Sequence, residues 1–332
     1  MASAASAVRQ GAARALPVMS FVGHKVLYGV LTVFAVTLLV FVGLEIVPGD
    51  AASAMLGTDA SAEALQALRS ELGLDRGVVP RYVDWLGGLL QGDLGQSVAT
   101  RTPVTDTLVP RLGNSLVLMA LAASITFVLA AVLGVFIGTR AGSRTDNVLS
   151  GMSLSAAGIP DFVSGVILVA IFSFSLGLLP GTSIFPLDET PAQNFTKLIL
   201  PALTLVIANI GHLSRMIRAG VAESMKSEYV EFAVLNGVPR KTVIWKYAVR
   251  NSQAPSIQVA SLTLLYLLSG VIVVETLFQY PGLGQMAVQA TIARDFISIS
   301  SLSVVIASLY VVINIATDAA IRFVSPRART AR

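Results

Sequence analysis

The sequence predicts an all-α integral membrane protein with six transmembrane helices, and three observations support this. Of its 332 residues, 54% are hydrophobic and only 13% charged, with a mean hydropathy of +0.76. Soluble domains carry roughly 25% charged residues, so lipid is the main solvent of this chain. The charges are gathered into intervals, leaving uncharged gaps long enough to cross a hydrocarbon core of roughly 30 Å. The intervals also differ in sign. Segments 1–25, 139–146, 215–250 and 322–332 hold 16 of the 23 lysines and arginines, which by the positive-inside rule puts them and both termini on the cytoplasmic side.

Composition excludes several function classes. A net charge of +4 and a pI near 9.5 suit nucleic-acid binding, but the basic residues are sorted by loop instead of forming one patch. Without cysteine there is neither a disulfide nor thiol chemistry. Two histidines, His24 and His212, do not make a structural zinc site. No G-x-x-x-x-G-K-[ST] phosphate loop and no dinucleotide fingerprint occurs. Gly151-Met152-Ser153-Leu154-Ser155 lacks the last glycine of a nucleophile elbow. An enzyme is therefore not expected.

Residues 1–25, Ala-rich with Arg9, Arg14 and Lys25, read as a cytoplasmic tail. The gap from Lys25 to Glu45 predicts a first span at 26–46. A signal peptide cleaved near Ala52-Ser53-Ala54 is the rival reading, but the apolar run exceeds the roughly 7–15 residues of such a segment, and further spans follow. The next loop, 47–113, is extracytoplasmic in this topology and too long to be a mere connector. Within it Leu65, Leu68 and Leu72 share a helical face, and VVPRYVDWLGGLL carries Trp85. Both stretches predict short helices on the outer membrane surface.

The gap from Arg111 to Arg140 predicts a span at 114–138. A third span, 147–176, is placed between Asp146 and Asp188, kinked by Pro160. Asp161 then lies within hydrocarbon, which costs about 2.5–3.5 kcal/mol at the centre, so it should face the bundle interior or a wet cavity. The fourth span, 198–220, ends with Arg215 and Arg218, placed to meet the negative end of the helix dipole and reach lipid phosphates. His212, one turn earlier, reads as a hydrogen-bonded helix residue.

The charged interval 221–252 predicts a short helix of about ten residues. Ser227 is its expected cap, Glu228 and Glu231 sit near its positive end, Gly237 supplies a left-handed stop, and Pro239 prevents continuation. Tyr229, Phe232, Ala233 and Asn236 fall on one face at three- and four-residue spacing. A fifth span follows at 253–274. Pro281-Gly282-Leu283-Gly284 then demands a tight turn, read as lying at the outer surface and orienting a short re-entrant or interfacial element. The sixth span is 297–320, completing a six-helix domain over 26–323. Residues 324–332 form a cytoplasmic tail.

Glu231-Phe232-Ala233 followed by Gly237 resembles the EAA-x-x-x-G signature of permease subunits in bacterial ABC importers, with Phe232 in place of the first alanine. EYVEFAVLNG (228–237), YAVRNSQAP (247–255), IVPGDAA (46–52), GDLGQS (92–97), VVET (273–276) and PGLG (281–284) are similar to the dipeptide/oligopeptide branch, in matching order across 25–329. Arg215, Arg218, Asp318 and Ser325-Pro326-Arg327 fit the same pattern. Ala51 replaces that family's usual proline, and Asp161 stands where it commonly has a small residue.

The resemblance implies a type I ABC importer (MetI-like) permease fold with a long first extracytoplasmic loop, in the bacterial cytoplasmic membrane. It implies a heterodimer with a second homologous permease subunit, two cytoplasmic ATP-binding subunits and an extracytoplasmic substrate-binding protein. ATP and Mg then belong to the ATPase partners; no cofactor or metal is expected on this chain, and no nucleic acid partner. Glu228, Tyr229, Glu231, Phe232, Ala233, Gly237 and Pro239 become the ATPase-coupling residues, with Ala233 for close packing and Glu231 for a polar contact. Pro281, Gly282 and Gly284 shape a turn near the outer mouth. Apart from the resemblance, the cost of an acid within hydrocarbon makes Pro160, Asp161 and Phe162 candidates to line the translocation path, with Asp161 expected to favour substrates that carry a free amino group; a structural acid near the membrane surface is the equal alternative. Di- and oligopeptides are the expected substrates. Nickel, glutathione and oligosaccharides are carried within the same family, and an ion-coupled secondary transporter is the rival from another class.

Overall fold

The computed structural model describes residues 23, 25–43, 46, 49–57 and 60–324, without the side chains of 253–257 and 320–324. The expected N-terminal tail up to residue 22, Glu45, Pro48 and the tail with Ser325-Pro326-Arg327 lie outside the described residues. Among the described residues all regular elements are helical and no sheet forms. Contacts divide the chain into two compact units: one made of residues up to Thr102 with Ala293–Ala316, the other of Pro103–Ile292 with the residues from Thr317 onward.

The first unit begins with α1 (Lys25–Gly43), which leaves Leu31, Leu39 and Val42 exposed. Asp50 starts α2 (Ala51–Leu56) with a capping box: its carboxylate accepts from the Ser53 amide at 2.9 Å while the Ser53 hydroxyl oxygen accepts from the Asp50 amide at 2.9 Å. Ser61 caps α3 (Ala62–Glu71), and α4 spans Val78–Leu90. Both helices stand where the sequence expects short ones. However, α4 is no solitary surface helix. Tyr82 and Trp85 are buried with Phe41 of α1 and pack on Phe296, at the start of the long last helix. The Trp85 indole donates to the Ser301 hydroxyl at 3.3 Å, so the expected interfacial tryptophan is a core residue. Buried Asp295 gathers the Ser97 hydroxyl, the Val98 amide and the Ser298 amide and hydroxyl.

The second unit is built around α5 (Val104–Gly138) and α8 (Phe195–Met225). Helix α5 begins ten residues before the expected span, because the sequence argument measured uncharged length. Arg111 ended that gap, yet it lies inside the helix, donating to Gln285 and Gln289. Thr126, Ala130, Gly134 and Gly138 recur every four residues on α5, and all are buried. This is the small-residue spacing that lets membrane helices approach closely. A Cβ on Gly134 would lie 2.7 Å from the Ser214 carbonyl, and one on Gly138 2.9 Å from the Arg218 carbonyl.

The expected third span is not one kinked helix. It is α6 (Arg144–Ala157) and α7 (Asp161–Leu168, continuing as a π-helical turn over Val169–Ser175), bent by 102°. Proline disfavours helical backbone in the residue before it, so Pro160 ends one helix and precedes the next, with extended backbone at φ −58°, ψ 143°. After α8 come α9 (Glu228–Leu235), α10 (Arg240–Thr242, continuing as a π-helical turn over Val243–Val249), α11 (Gln253–Phe278) and α12 (Leu283–Ile292). The chain closes with α13 (Phe296–Val324). Leu118, Leu168, Leu200, Leu205, Leu267 and Phe278 form the main apolar core of the second unit.

Candidate functional site

Three features of the second unit gather the residues that carry function in the sequence reading. The first is the segment after α8. Ser227 takes the cap position of α9 with extended backbone, but its hydroxyl donates to the Ser224 carbonyl at 2.5 Å and caps nothing. Glu228 and Glu231 occupy the first turn, exposed, where the helix dipole favours them. The stop forms as expected. Gly237 has φ +74°, the Val238 amide donates to the Ala233 carbonyl, and the Gly237 amide to the Val234 carbonyl. This is the paired-bond ending that glycine permits at low cost.

The faces of α9 correct one expectation. Tyr229, Phe232 and Ala233 do not present a common surface: Ala233 is buried with Val230 and Val243, against Met225, Val238 and Tyr247. Ala233 therefore packs α9 onto its own chain. Phe232 is 70% and Leu235 79% exposed, and Trp245 is exposed nearby in sequence. Pro239 is exposed and precedes α10.

Behind this segment, Arg218 is not directed to lipid phosphates as expected. Its guanidinium pairs with Asp146 through two bonds, Nε to Oδ1 at 2.8 Å and Nη2 to Oδ2 at 2.5 Å. Asp146 is buried at the third position of α6 and also accepts from the Gly142 amide and the Ser150 hydroxyl. The planar fork of arginine suits this two-point geometry.

The second feature is the break between α6 and α7. Asp161 opens α7, half-buried, between exposed Pro160 and Phe162. Its carboxylate rests on α11, where a Cβ on Gly270 would lie 2.7 Å from Oδ2.

The third feature replaces the expected surface turn. Tyr280, Pro281, Gly282, Leu283 and Gly284 are all buried, and they close around Glu275. Helix α11 runs past the expected end of the fifth span, and Glu275 is fully buried within it. Its carboxylate accepts from the Ser115 hydroxyl at 2.5 Å and the Gly284 amide at 2.6 Å. Ser115 also accepts from the Leu283 amide at 2.8 Å. Asn114 donates to the Pro281 carbonyl, and Tyr280 returns a bond to the Asn114 carbonyl, each at 2.9 Å. A Cβ on Gly282 would fall on the carboxylate itself, and one on Gly284 would lie 2.5 Å from the Ile272 backbone. Gly282, read as a turn former, is thus also the room that a buried acid occupies, while Gly284 lets the turn close against α11.

Sequence reasoning missed Glu275, Ser115 and Asp146. For Glu275 the signals were its place in the family-like VVET phrase and its spacing, seven and nine residues before two glycines; neither showed that it is buried. The hydroxyl that completes the site lies 160 residues away.

Among the described residues five helices are long and apolar enough to cross a membrane, six if the bent pair counts as one span. That defines a multi-pass helical membrane protein. Residues 130–330 match the family described as binding-protein-dependent transport system inner membrane component, and residues 18–119 match the N-terminal region of such membrane components. The chain belongs to this family. It is 32% identical over 294 residues to a putative peptide transport system permease protein of Brucella abortus, covering 89% of this chain and 94% of the relative. To a probable peptide ABC transporter permease protein of Sinorhizobium fredii it is 31% identical over 294 residues, 89% of this chain and 94% of that one. To the oligopeptide transport system permease protein AppB of Bacillus subtilis it is 30% identical over 311 residues, 93% of this chain and 98% of that one.

Proposed function

We propose that this chain is a permease subunit of an ABC importer for di- and oligopeptides. It forms half of the translocation path beside a second homologous permease, receives substrate from an extracytoplasmic binding protein, and is driven by two cytoplasmic ATPase subunits. The observation that carries the reading is full-length likeness to chains named as peptide permeases, several at 30% identity or more with over nine-tenths of each relative covered. ATP and Mg act on the ATPase partners; this chain supplies the moving path.

Basic-residue bias supports cytoplasmic termini, and α9 is then cytoplasmic with them. Its exposed Phe232 and Leu235, beside Glu228, Tyr229 and Glu231, offer an apolar knob with an acidic rim to a groove on the ATPase. Ala233 packs that knob from within, and Gly237 and Pro239 end it. ATP binding closes the ATPases, α9 is displaced, and the displacement passes along α8 to the two permeases. Pro160, Asp161 and Phe162 line the path exposed by that motion. Pro281, Gly282 and Gly284 hold the outer-side turn around Glu275.

Reconstitution tests this directly. Proteoliposomes holding both permeases and both ATPases, with binding protein outside and ATP inside, should accumulate a tripeptide and hydrolyse ATP. Accumulation by this chain alone under a proton or sodium gradient would instead establish an ion-coupled carrier.

A further inference from the structure

We infer that Asp161, Tyr266 and His212 form a subsite for the ammonium group of the transported peptide; this rests on the peptide-import reading above. Three observations converge on it. Asp161 sits at the 102° break, half-buried, and beyond its own backbone amide no donor reaches its carboxylate among the described residues. A carboxylate in that position is not stable against lipid tails. It needs a proton, water, a cation from another chain, or a cationic ligand.

The carboxylate lies over Gly270, and Tyr266 is one helical turn away on the same face of α11. Gly270 is what lets the acid approach that helix. Tyr266 is 57% exposed, with its ring near mid-helix, and stands edge-on to His212 of α8 at 6.1 Å between centroids and 79° between planes. Thus α7, α8 and α11 bring an acid, a phenol and an imidazole to one region of the bundle. A carboxylate with an electron-rich ring one helical turn along the helix it rests on is the chemistry that recognises an alkylammonium ion. A peptide amino terminus fits it; a neutral sugar or an anion does not.

The test uses the complete reconstituted transporter with unaltered binding protein and two probes. These are trialanine and its desamino analogue propionyl-dialanine, which lacks only the ammonium group. The reading is the ratio of their uptake rates, in which the contribution of the binding protein is constant. Asp161→Asn should lower that ratio by about tenfold, the worth of one contact to a charged group, and Asp161→Glu should restore much of it. Tyr266→Leu should lower it in the same direction, and keeps the question open to test if Asp161→Asn fails to assemble. An unchanged ratio in assembled variants overturns the subsite. So does loss of the second permease from purified Asp161→Asn complexes with the ratio intact, which would assign Asp161 to the subunit interface. If the unaltered transporter takes up neither probe with ATP, the peptide-import reading itself falls.

Discussion

Ser115 and Glu275 are 160 residues apart in sequence and share a 2.5 Å hydrogen bond between α5 and α11, with both side chains buried. The serine hydroxyl donates to the carboxylate and accepts from the Leu283 amide. One small side chain therefore fixes both an acid and the turn that follows it. Two substitutions separate these roles. Glu275→Ala should leave the Ser115 hydroxyl and the Gly284 amide buried without an acceptor, at about 1–3 kcal/mol for each. Gly282→Ala forces a methyl group into the carboxylate and should be worse. The aggregation midpoint in detergent, followed by size-exclusion fluorescence, should fall in both, with Glu275→Gln between them and the unaltered protein.

The Asp146–Arg218 pair should show the asymmetry of buried ion pairs. Asp146→Ala strands a partly buried guanidinium, and Arg218→Ala strands a buried carboxylate; loss of one partner of such a pair typically costs about 3–5 kcal/mol. Arg218 retains some exposure, so the lower end is expected for Asp146→Ala. The combined Asp146→Leu/Arg218→Met protein should recover most of the loss. Thermal midpoints of the four proteins check this; additive losses would count against the pair.

Gly237→Val should separate ATP hydrolysis from uptake. The position has φ +74° with open space around it, so the added side chain meets no neighbour and the penalty is conformational, about 1–2 kcal/mol. The stop of α9 is then lost while the membrane helices are untouched. Binding-protein-stimulated ATPase activity and peptide accumulation, measured on the same proteoliposomes, should diverge, with abundance in the membrane unchanged.

Gly134→Leu and Gly138→Leu should prevent the close approach of α5 to α8. An added Cβ would meet α8 carbonyls at 2.7 and 2.9 Å, and the Cβ atoms of Ile217 and Val221 at the same distances, none of which can rotate aside. Gly151→Leu, in open space on α6, is the control. Yield of folded protein after membrane extraction should collapse for the first two only.

Asp50 gives a pH dependence outside the membrane helices. Burial alone would raise its carboxyl, but the Ser53 amide, the Arg69 guanidinium and the Ser53 hydroxyl outweigh burial and hold it below its ordinary value. A depressed folded-state pKa stabilises fully above the unfolded value, about 3.9, and that contribution is lost as pH falls through the folded value. Exchange of the Ser53 amide, corrected for intrinsic rate, should quicken as pH drops from about 6 toward 2. In Asp50→Asn that acceleration should disappear.

The apolar stretches were legible because hydrocarbon permits few charges, and the ending of α9 because only glycine enters left-handed backbone cheaply. What stayed hidden was pairing over distance. Charge counting ended the fifth span before Glu275, since nothing local shows that Ser115 and the Gly284 amide receive the acid. It likewise assigned Arg218 to lipid, because Asp146 is 72 positions away. Pro160 signalled a disturbance, but a kink and a 102° corner share one sequence signal. At Ala233 the family pattern marked a coupling position; burial shows that this side chain faces its own chain.

The four-residue ladder of small side chains on α5 has a mechanical consequence. With the Ser214 and Arg218 carbonyls and the β-branched stems of Ile217 and Val221 seated against Gly134 and Gly138, α5 and α8 meet at that end with little room for one to move without the other. Arg218 fastens α6 to the same stretch of α8. On the proposed function, a force applied at α9 is passed to these three rods as one body.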